Sequence, residues 1–308
     1  MILIYGILSE PPLAMVINEL ERRGAAYIGI AQRKLSEIQW SLKCSRNGLL
    51  GSFHIGGTSI DLCDIGAIYA RPIDYRFLPE YASAASTKET RGRIEEGDRH
   101  MRTILNQCQA AVVNRPRAMM SNVSKPLQLQ IIREFGFSIP RTIATNNIDL
   151  VKEFEADAGT LIYKSMSSQR SLVKALDGGD RSRLDAIRTV PVQFQEFISG
   201  VDVRVHVIND AVFGCGIVHQ GVDYRDLPAE DRPRLFSIDV PEAVKACCIR
   251  ICRELGLVFG GIDLRIAPDG RIYCFEVNPS PGYSYYERNV GQPIASVVAD
   301  YLVNNSIL

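Results

Sequence analysis

An α+β fold made of three successive α/β pieces is the expectation, and three observations carry it. Apolar strands and amphipathic helices alternate from the first residues onward. Strands joined by tight turns dominate the last third of the chain. No internal repeat or low-complexity run interrupts this order.

Residues 1–117 are predicted to form an N-terminal α/β unit. Ile2–Tyr5 reads as a strand, Leu13–Arg23 as a helix closed by Gly24, and Ala26–Ile30 as the next strand. Gly51–Ile55, a Gly56-Gly57 turn and Thr58–Leu62 form a β-rich stretch. The strand Ala67–Ala70, the polar helix Arg91–Gln109 and the strand Ala110–Asn114 complete the unit. Residues 118–190 form the second unit. Ser124 precedes a helix from Lys125 to Phe135 stopped by Gly136, and Arg141–Ala144, Leu150–Ala156 and Thr160–Lys164 follow as strand, helix and strand. Residues 191–308 are strand-rich. Val192–Ile198, Val203–Ile208 and Ala211–Val218 are strands, the last two joined by an Asn209-Asp210 turn. The helix Val240–Leu255, a hairpin Gly261–Ile266 with Arg271–Val277, and the helix Pro293–Val303 close the chain.

Composition excludes several function classes. The 308 residues carry 35 basic and 35 acidic side chains, so neither nucleic acid nor an anionic membrane is an expected partner. No apolar run approaches the roughly 20 residues that span a bilayer, and Met1–Tyr5 lacks the basic flank of a signal peptide, so the cytoplasm is the expected location. Among eight cysteines only Cys247, Cys248 and Cys252 lie close together, inside a helical pattern with no C-x-x-C, and they are expected to be core residues. The four histidines show no metal-ligand spacing, and Walker, G-x-S-x-G and G-x-G-x-x-G patterns are missing.

The hairpin around Pro268-Asp269-Gly270 carries the most chemistry. Ile262, Leu264 and Ile266 alternate with Gly261, Asp263 and Arg265, while Tyr273, Phe275 and Val277 alternate with Cys274, Glu276 and Asn278. Pairing position 264 with 273 puts both apolar sets on one face. Asp263, Glu276 and Asn278 then share the other face, with Glu276 diagonal to Asp263 and Asn278 one pleat further. Two carboxylates and an amide oxygen suit Mg²⁺ when phosphate oxygens complete its shell. A solvated polar face is the competing explanation. The rigid Asn-Pro-Ser-Pro-Gly loop that follows favours the metal.

Glu276-Val-Asn278-Pro-Ser-Pro-Gly, with Asp263 on the preceding strand, resembles the ATP-grasp superfamily. It is similar to the signature of the ribosomal-protein glutamate ligases and to that of the microviridin-type peptide ligases, which close ω-ester and ω-amide rings in ribosomally made peptides. The resemblance runs from about Tyr69 to the C-terminus. It implies an ATP-grasp fold with an N-terminal pre-ATP-grasp domain, a central subdomain and a C-terminal subdomain. It also implies ATP with two Mg²⁺ ions on Asp263, Glu276 and Asn278, with Mn²⁺ as a substitute. Gln195, Glu196, Phe197 and Ile198 look like the hinge that reads adenine through backbone groups, and Asp202 like the acid that bonds the ribose. Lys125 and Lys164 match the two family lysines that neutralise nucleotide phosphates, and Arg225 of Tyr224-Arg225 resembles the arginine that reaches the polyphosphate. Val203, Val205 and Val207 read as a core face, leaving Arg204 on the other face as a phosphate or acyl-phosphate contact. Ala70-Arg71-Pro72 resembles an Arg-Pro element of the peptide-ligase branch, as a substrate contact or a turn anchor.

One departure stands out. Relatives have a Gly-rich loop over the phosphates where this chain has Ser165-Met-Ser-Ser-Gln-Arg170-Ser171, with Arg170 as its only charge. The implied activity is carboxylate–amine ligation through an acyl phosphate, on an amino acid or a peptide, with self-association left open. A non-catalytic nucleotide-dependent peptide-binding module of the same fold is the alternative.

Overall fold

The opening apolar run becomes an inner strand of a parallel sheet, buried on both sides. The structure, a computed structural model, describes residues 1–46, 48–166 and 173–306, so Arg170 lies outside the described residues. Strand β1 (Ile2–Gly6) pairs in parallel with β2 (Tyr27–Ala31). A separate antiparallel sheet follows, β3 (Gln39–Ser45), β4 (Gly48–Ile55) and β5 (Thr58–Asp61). The chain then returns to the first sheet as β6 (Ala67–Arg71) and β7 (Ala111–Val113), giving the order β2-β1-β6-β7. Burial on both faces is why Ile2 to Tyr5 reads as a continuous apolar run and not an alternating one. Ile2 and Ile4 pack under the helices Pro11–Arg22 and Ile294–Ser306, while Leu3 and Tyr5 pack under the helix Lys88–Gln107.

The second sheet is smaller. It comprises β8 (Thr142–Thr145), β9 (Leu161–Ser165), β10 (Lys174–Ala175) and β11 (Val192–Glu196) in the order β10-β9-β11-β8. Leu161 and Phe194 pack with Val151 of the helix Ile148–Ala158 on one face. Gln193 stands opposite Lys164, and Gln195 opposite Ile162, on the other face.

The third sheet is fully antiparallel: β12 (Val201–Ile208), β13 (Ala211–Val218), β14 (Arg234–Ile238), β15 (Phe259–Ile266) and β16 (Ile272–Asn278), in the order β14-β13-β12-β15-β16. Val203, Val205, Val207, Ile262 and Leu264 form its core face, as their alternation predicts. The helices Lys125–Glu134 and Glu242–Glu254 cover that face through Leu129, Ile132, Cys248, Ile251 and Cys252. Cys248 and Cys252 are therefore core residues, and burial pushes the Cys252 thiol up to about 12. Elements without a counterpart in the sequence expectation include β3, β10, β14 and the helix Ser284–Val290. Among the described residues no helix is long and apolar enough to cross a membrane.

Candidate active site

The hairpin β15–β16 brings its two carboxylates closer than the expected register allows. Asp263 stands directly opposite Glu276, and Gly261 opposite Asn278, whereas Leu264 pairs with Cys274 and Arg265 with Tyr273. The step between the two registers is a β-bulge that leaves Phe275 without an opposite residue. This corrects the expected pairing of 264 with 273 and the diagonal placement of Glu276. The bulge has a second effect. Cys274 and Val277 join Ile262 and Leu264 in the core, while Tyr273 and Phe275, expected there, pack instead with Ile198 and Ala267.

Buried amides lock this strand in place. Gln128, from the helix Lys125–Glu134, donates to the Val277 carbonyl at 2.9 Å and accepts from the Val277 N–H at 3.0 Å. Asn114 donates to the Phe259 and Pro279 carbonyls at 2.6 and 2.7 Å, and its oxygen accepts from Val258 and Phe259 N–H at 2.8 and 3.0 Å. The loop after Asn278 is thus tied to the end of the N-terminal sheet. Asn278 Oδ1 itself accepts from the Ser280 N–H at 2.9 Å, which turns the Pro-rich loop back.

Positive charge converges on the carboxylates. Lys164 is the penultimate residue of β9 and Lys125 opens its helix, and both are buried. Burial, then the neighbouring Lys125, pushes the Lys164 ammonium down to about 8 against the pull of Glu276 and Asp263. Burial also lowers Lys125, again opposed by Glu276, and its Nζ lies 3.4 Å from the Ser165 carbonyl. Two ammonium groups held at such cost need an anion that the protein does not supply in full.

Arg204 lies on the face opposite Val203 and Val205, as expected, but that face is not solvent. The residue is 5% exposed and Nη1 donates to Asp263 Oδ1 at 2.5 Å. Its Nε faces His206 Nε2 at 3.5 Å, and burial together with Arg204 drives the His206 pKa well below the ordinary value, so this imidazole is neutral. A Cβ at Gly261 would come 2.2 Å from Arg204 Nη2 and 2.6 Å from Pro281 Cβ, so a larger residue there would displace the guanidinium. Arg225 Nε and Nη2 donate to Asp223 at 2.8 Å each. Tyr224 and Tyr286 share a 2.5 Å hydroxyl contact next to Arg204. Arg71 acts as an anchor: it pairs with Glu10 at 3.0 Å and donates to the Pro281 carbonyl at 3.0 Å.

At the hinge, Gln195 donates to Thr142 Oγ1 at 2.9 Å, and the Glu196 carboxylate is turned toward Arg141. The Phe197 N–H is committed to the Thr160 carbonyl at 2.8 Å, and the Ile198 carbonyl accepts from Arg265 Nη1 at 2.7 Å. Asp202 accepts from Arg265 and contacts His219.

One cleft collects Lys164, Gln195, Asp202, Arg225, Asp263 and Glu276 on its walls. Lys125, Arg204, Glu196, Phe197, Ile198 and Asn278 are not on those walls, although Lys125 and Arg204 act on its carboxylates from behind. Phe275 and Arg265 line the same cleft and were not anticipated. Arg265 was visible in principle, two residues beyond Asp263; Phe275 carried no signal, because Tyr273, Phe275 and Val277 read as plain alternation although the bulge shifts its phase.

Among the described residues no group of three or more His, Cys, Asp and Glu side chains can hold an ion unaided. Two opposed carboxylates and one amide, faced by lysines, instead fit a divalent ion whose shell phosphate oxygens complete. Apolar walls from Ile162, Ile217 and Phe275 fit a base.

Comparison with known proteins agrees. Residues 127–302 match the RimK-like ATP-grasp domain, and the chain belongs to that family. Human N-acetylaspartylglutamate synthase A is 25% identical over 209 residues, covering 63% of this chain and 52% of its own length. Zebrafish (Danio rerio) beta-citrylglutamate synthase B is 24% identical over 208 residues, 63% of this chain and 50% of its own. The chain thus spans about half the length of the curated relatives it matches. Solved structures match throughout. The ATP-grasp ligase PsnB, complexed with minimal precursor, Mg and ADP, superposes with TM-score 0.82 at 26% identity over 99% of this chain and 97% of its own. The macrocyclase MdnC of Microcystis aeruginosa MRC, bound with precursor peptide MdnA, gives 0.82 at 21% identity over 98% and 99%. The fold is ATP-grasp.

Proposed function

We propose that this chain is an ADP-forming ligase that activates a peptide carboxylate with ATP and joins it to an amine. The observation that carries the reading is the Asp263–Glu276 pair, opposed across β15–β16 and faced by the buried Lys164 and Lys125. A carboxylate oxygen of the substrate attacks the γ-phosphorus, the bond to the β-phosphate oxygen breaks, and ADP leaves. The amine nitrogen then attacks the acyl phosphate carbon, the C–O bond to phosphate breaks, and the nitrogen loses a proton. Lys164, Lys125 and Arg225 offset charge on the phosphates, and Arg204 holds Asp263. The hinge Gln195–Ile198 takes the base and Asp202 the ribose. Asp263, Glu276 and Asn278 would hold Mg²⁺, two ions by family resemblance with Mn²⁺ as a substitute, and the metal supplies Lewis-acid charge at the phosphates.

A peptide is the favoured substrate because two ligases solved with a bound precursor, PsnB and MdnC, each superpose with TM-score 0.82. In this reading residues 1–117 serve as the substrate-facing part, 118–190 together with β11 as the lid, and the rest of 191–308 as the metal-bearing part. Buried free cysteines suit a reducing cytoplasm. ADP release and product mass spectrometry with acidic peptides, ATP and Mg²⁺ test the proposal. Nucleotide binding with no product in any peptide or amino-acid pool would favour the non-catalytic module instead.

A further inference from the structure

Asp202 and Arg265 are opposite residues in the β12–β15 register. Arg265 Nε and Nη2 donate to Asp202 Oδ1 and Oδ2 at 2.6 and 2.9 Å. The remaining nitrogen, Nη1, donates to the Ile198 carbonyl at 2.7 Å. The guanidinium also lies 5.8 Å from the Phe197 ring centroid and 5.4 Å from that of Phe275, the bulge residue. One side chain therefore joins the hinge, the β12 carboxylate and the bulge. Both partners are mostly buried, at 11% and 14% exposure, so this is not a solvated surface pair.

His219 holds the same carboxylate from the other side. Its Nε2 is 2.7 Å from Asp202 Oδ2, and since a carboxylate only accepts, Nε2 carries the hydrogen. Oδ2 then has two donors and Oδ1 has one. Each carboxylate oxygen offers two lone pairs, so one acceptor position remains, on Oδ1.

We infer that Arg265 is a positioning residue for the nucleotide. It fixes Asp202 so that a single lone pair of Oδ1 accepts one ribose hydroxyl, and it sets the hinge in the same act. Arg265 thereby governs ribose selectivity and base affinity together. This rests on the adenine-nucleotide reading of the cleft. A lysine at position 265 keeps the charge but cannot bond Asp202 bidentately and reach the Ile198 carbonyl at once.

Calorimetric titration with ADP, 2′-deoxy-ADP and 3′-deoxy-ADP, each with Mg²⁺, tests this on the parent, Arg265→Lys, Asp202→Asn and the double variant. The parent should bind one deoxy analogue about tenfold more weakly than ADP and the other nearly as well. Arg265→Lys should weaken ADP by about tenfold or more and bring the analogue ratio close to one. Asp202→Asn should also remove the preference, and the double variant should show no further loss in that ratio. The ratio is internal to each folded sample, so a lowered melting temperature does not move it. A parental ratio in Arg265→Lys would overturn the inference while leaving the nucleotide site standing. Equal discrimination against both analogues by the parent would overturn it without any variant. A folded parent that binds none of the three would overturn the nucleotide reading and this inference with it.

Discussion

Asp263 faces Glu276 across the β15–β16 pair and takes a 2.5 Å charge-assisted hydrogen bond from the buried Arg204. One carboxylate of the pair is thus held by the protein, and Glu276 is faced by the more distant charge of Lys125 and Lys164. Arg204→Met removes the hold and leaves the more distant Lys164 and Arg225 to offset Asp263 beside Glu276. Asp263 keeps 31% exposure, so water recovers part of the loss. The expected destabilisation is about 1–3 kcal/mol, read as a lowered denaturation midpoint, with a raised magnesium requirement. An unchanged magnesium dependence would show that Arg204 does not position Asp263.

Nucleotide binding should stabilise the chain by mass action. Mg²⁺ with ADP or ATP at 100 times its Kd should add about 2.7 kcal/mol, visible as a raised Tm. A folded sample whose Tm ignores millimolar nucleotide would count against the cleft as an ATP site.

Proton linkage tests Lys164. Its pKa is pushed to about 8 in the free protein, and an arriving polyphosphate favours the charged amine. Affinity should therefore be flat below pH 8 and fall above it, with a proton taken up on binding at pH 8.5. Calorimetry in two buffers of different ionisation heat measures that uptake, and Lys164→Met should lose most of it. The parent binding nucleotide without proton uptake would contradict this assignment.

Gln128 is predicted to matter through the strand it clamps. Gln128→Met keeps the volume but strands the Val277 N–H and carbonyl, both buried. Each stranded group costs about 1–3 kcal/mol, and magnesium affinity should weaken with the loosened strand. Parental stability in a urea titration would mean that water or a rearranged neighbour replaces the clamp.

The reacting groups were legible because their chemistry fixes residue type and order along the chain. Asp263, Glu276, Lys164 and Lys125 sit on elements whose periodicity places them, and four of the five strands of the third sheet follow from alternation. What was not legible depends on pairing between distant strands. The bulge at Phe275 leaves Tyr273-Cys-Phe-Glu276 reading as unbroken alternation, so the register was offset and two aromatic rings were assigned to the wrong face. The Asp202–Arg265 bond needs the β12–β15 register, which no local pattern contains. β14 was missed because it is a half-exposed edge strand, and the helix Ser284–Val290 because tyrosines and asparagine are weak helix formers.

Glu276 bears the central claim most directly. Glu276→Gln preserves shape and removes one negative charge from the metal-facing pair, on the site face and outside the core. ADP release by the parent, Glu276→Gln and Asn278→Ala, followed across a magnesium titration with circular dichroism confirming the fold, measures the consequence. Turnover by Glu276→Gln should fall roughly 10²–10³-fold, and Asn278→Ala, which removes a neutral ligand already shared with the Ser280 N–H, should lose about tenfold. Parental turnover by Glu276→Gln at limiting magnesium would contradict the metal site and the ligase mechanism built on it.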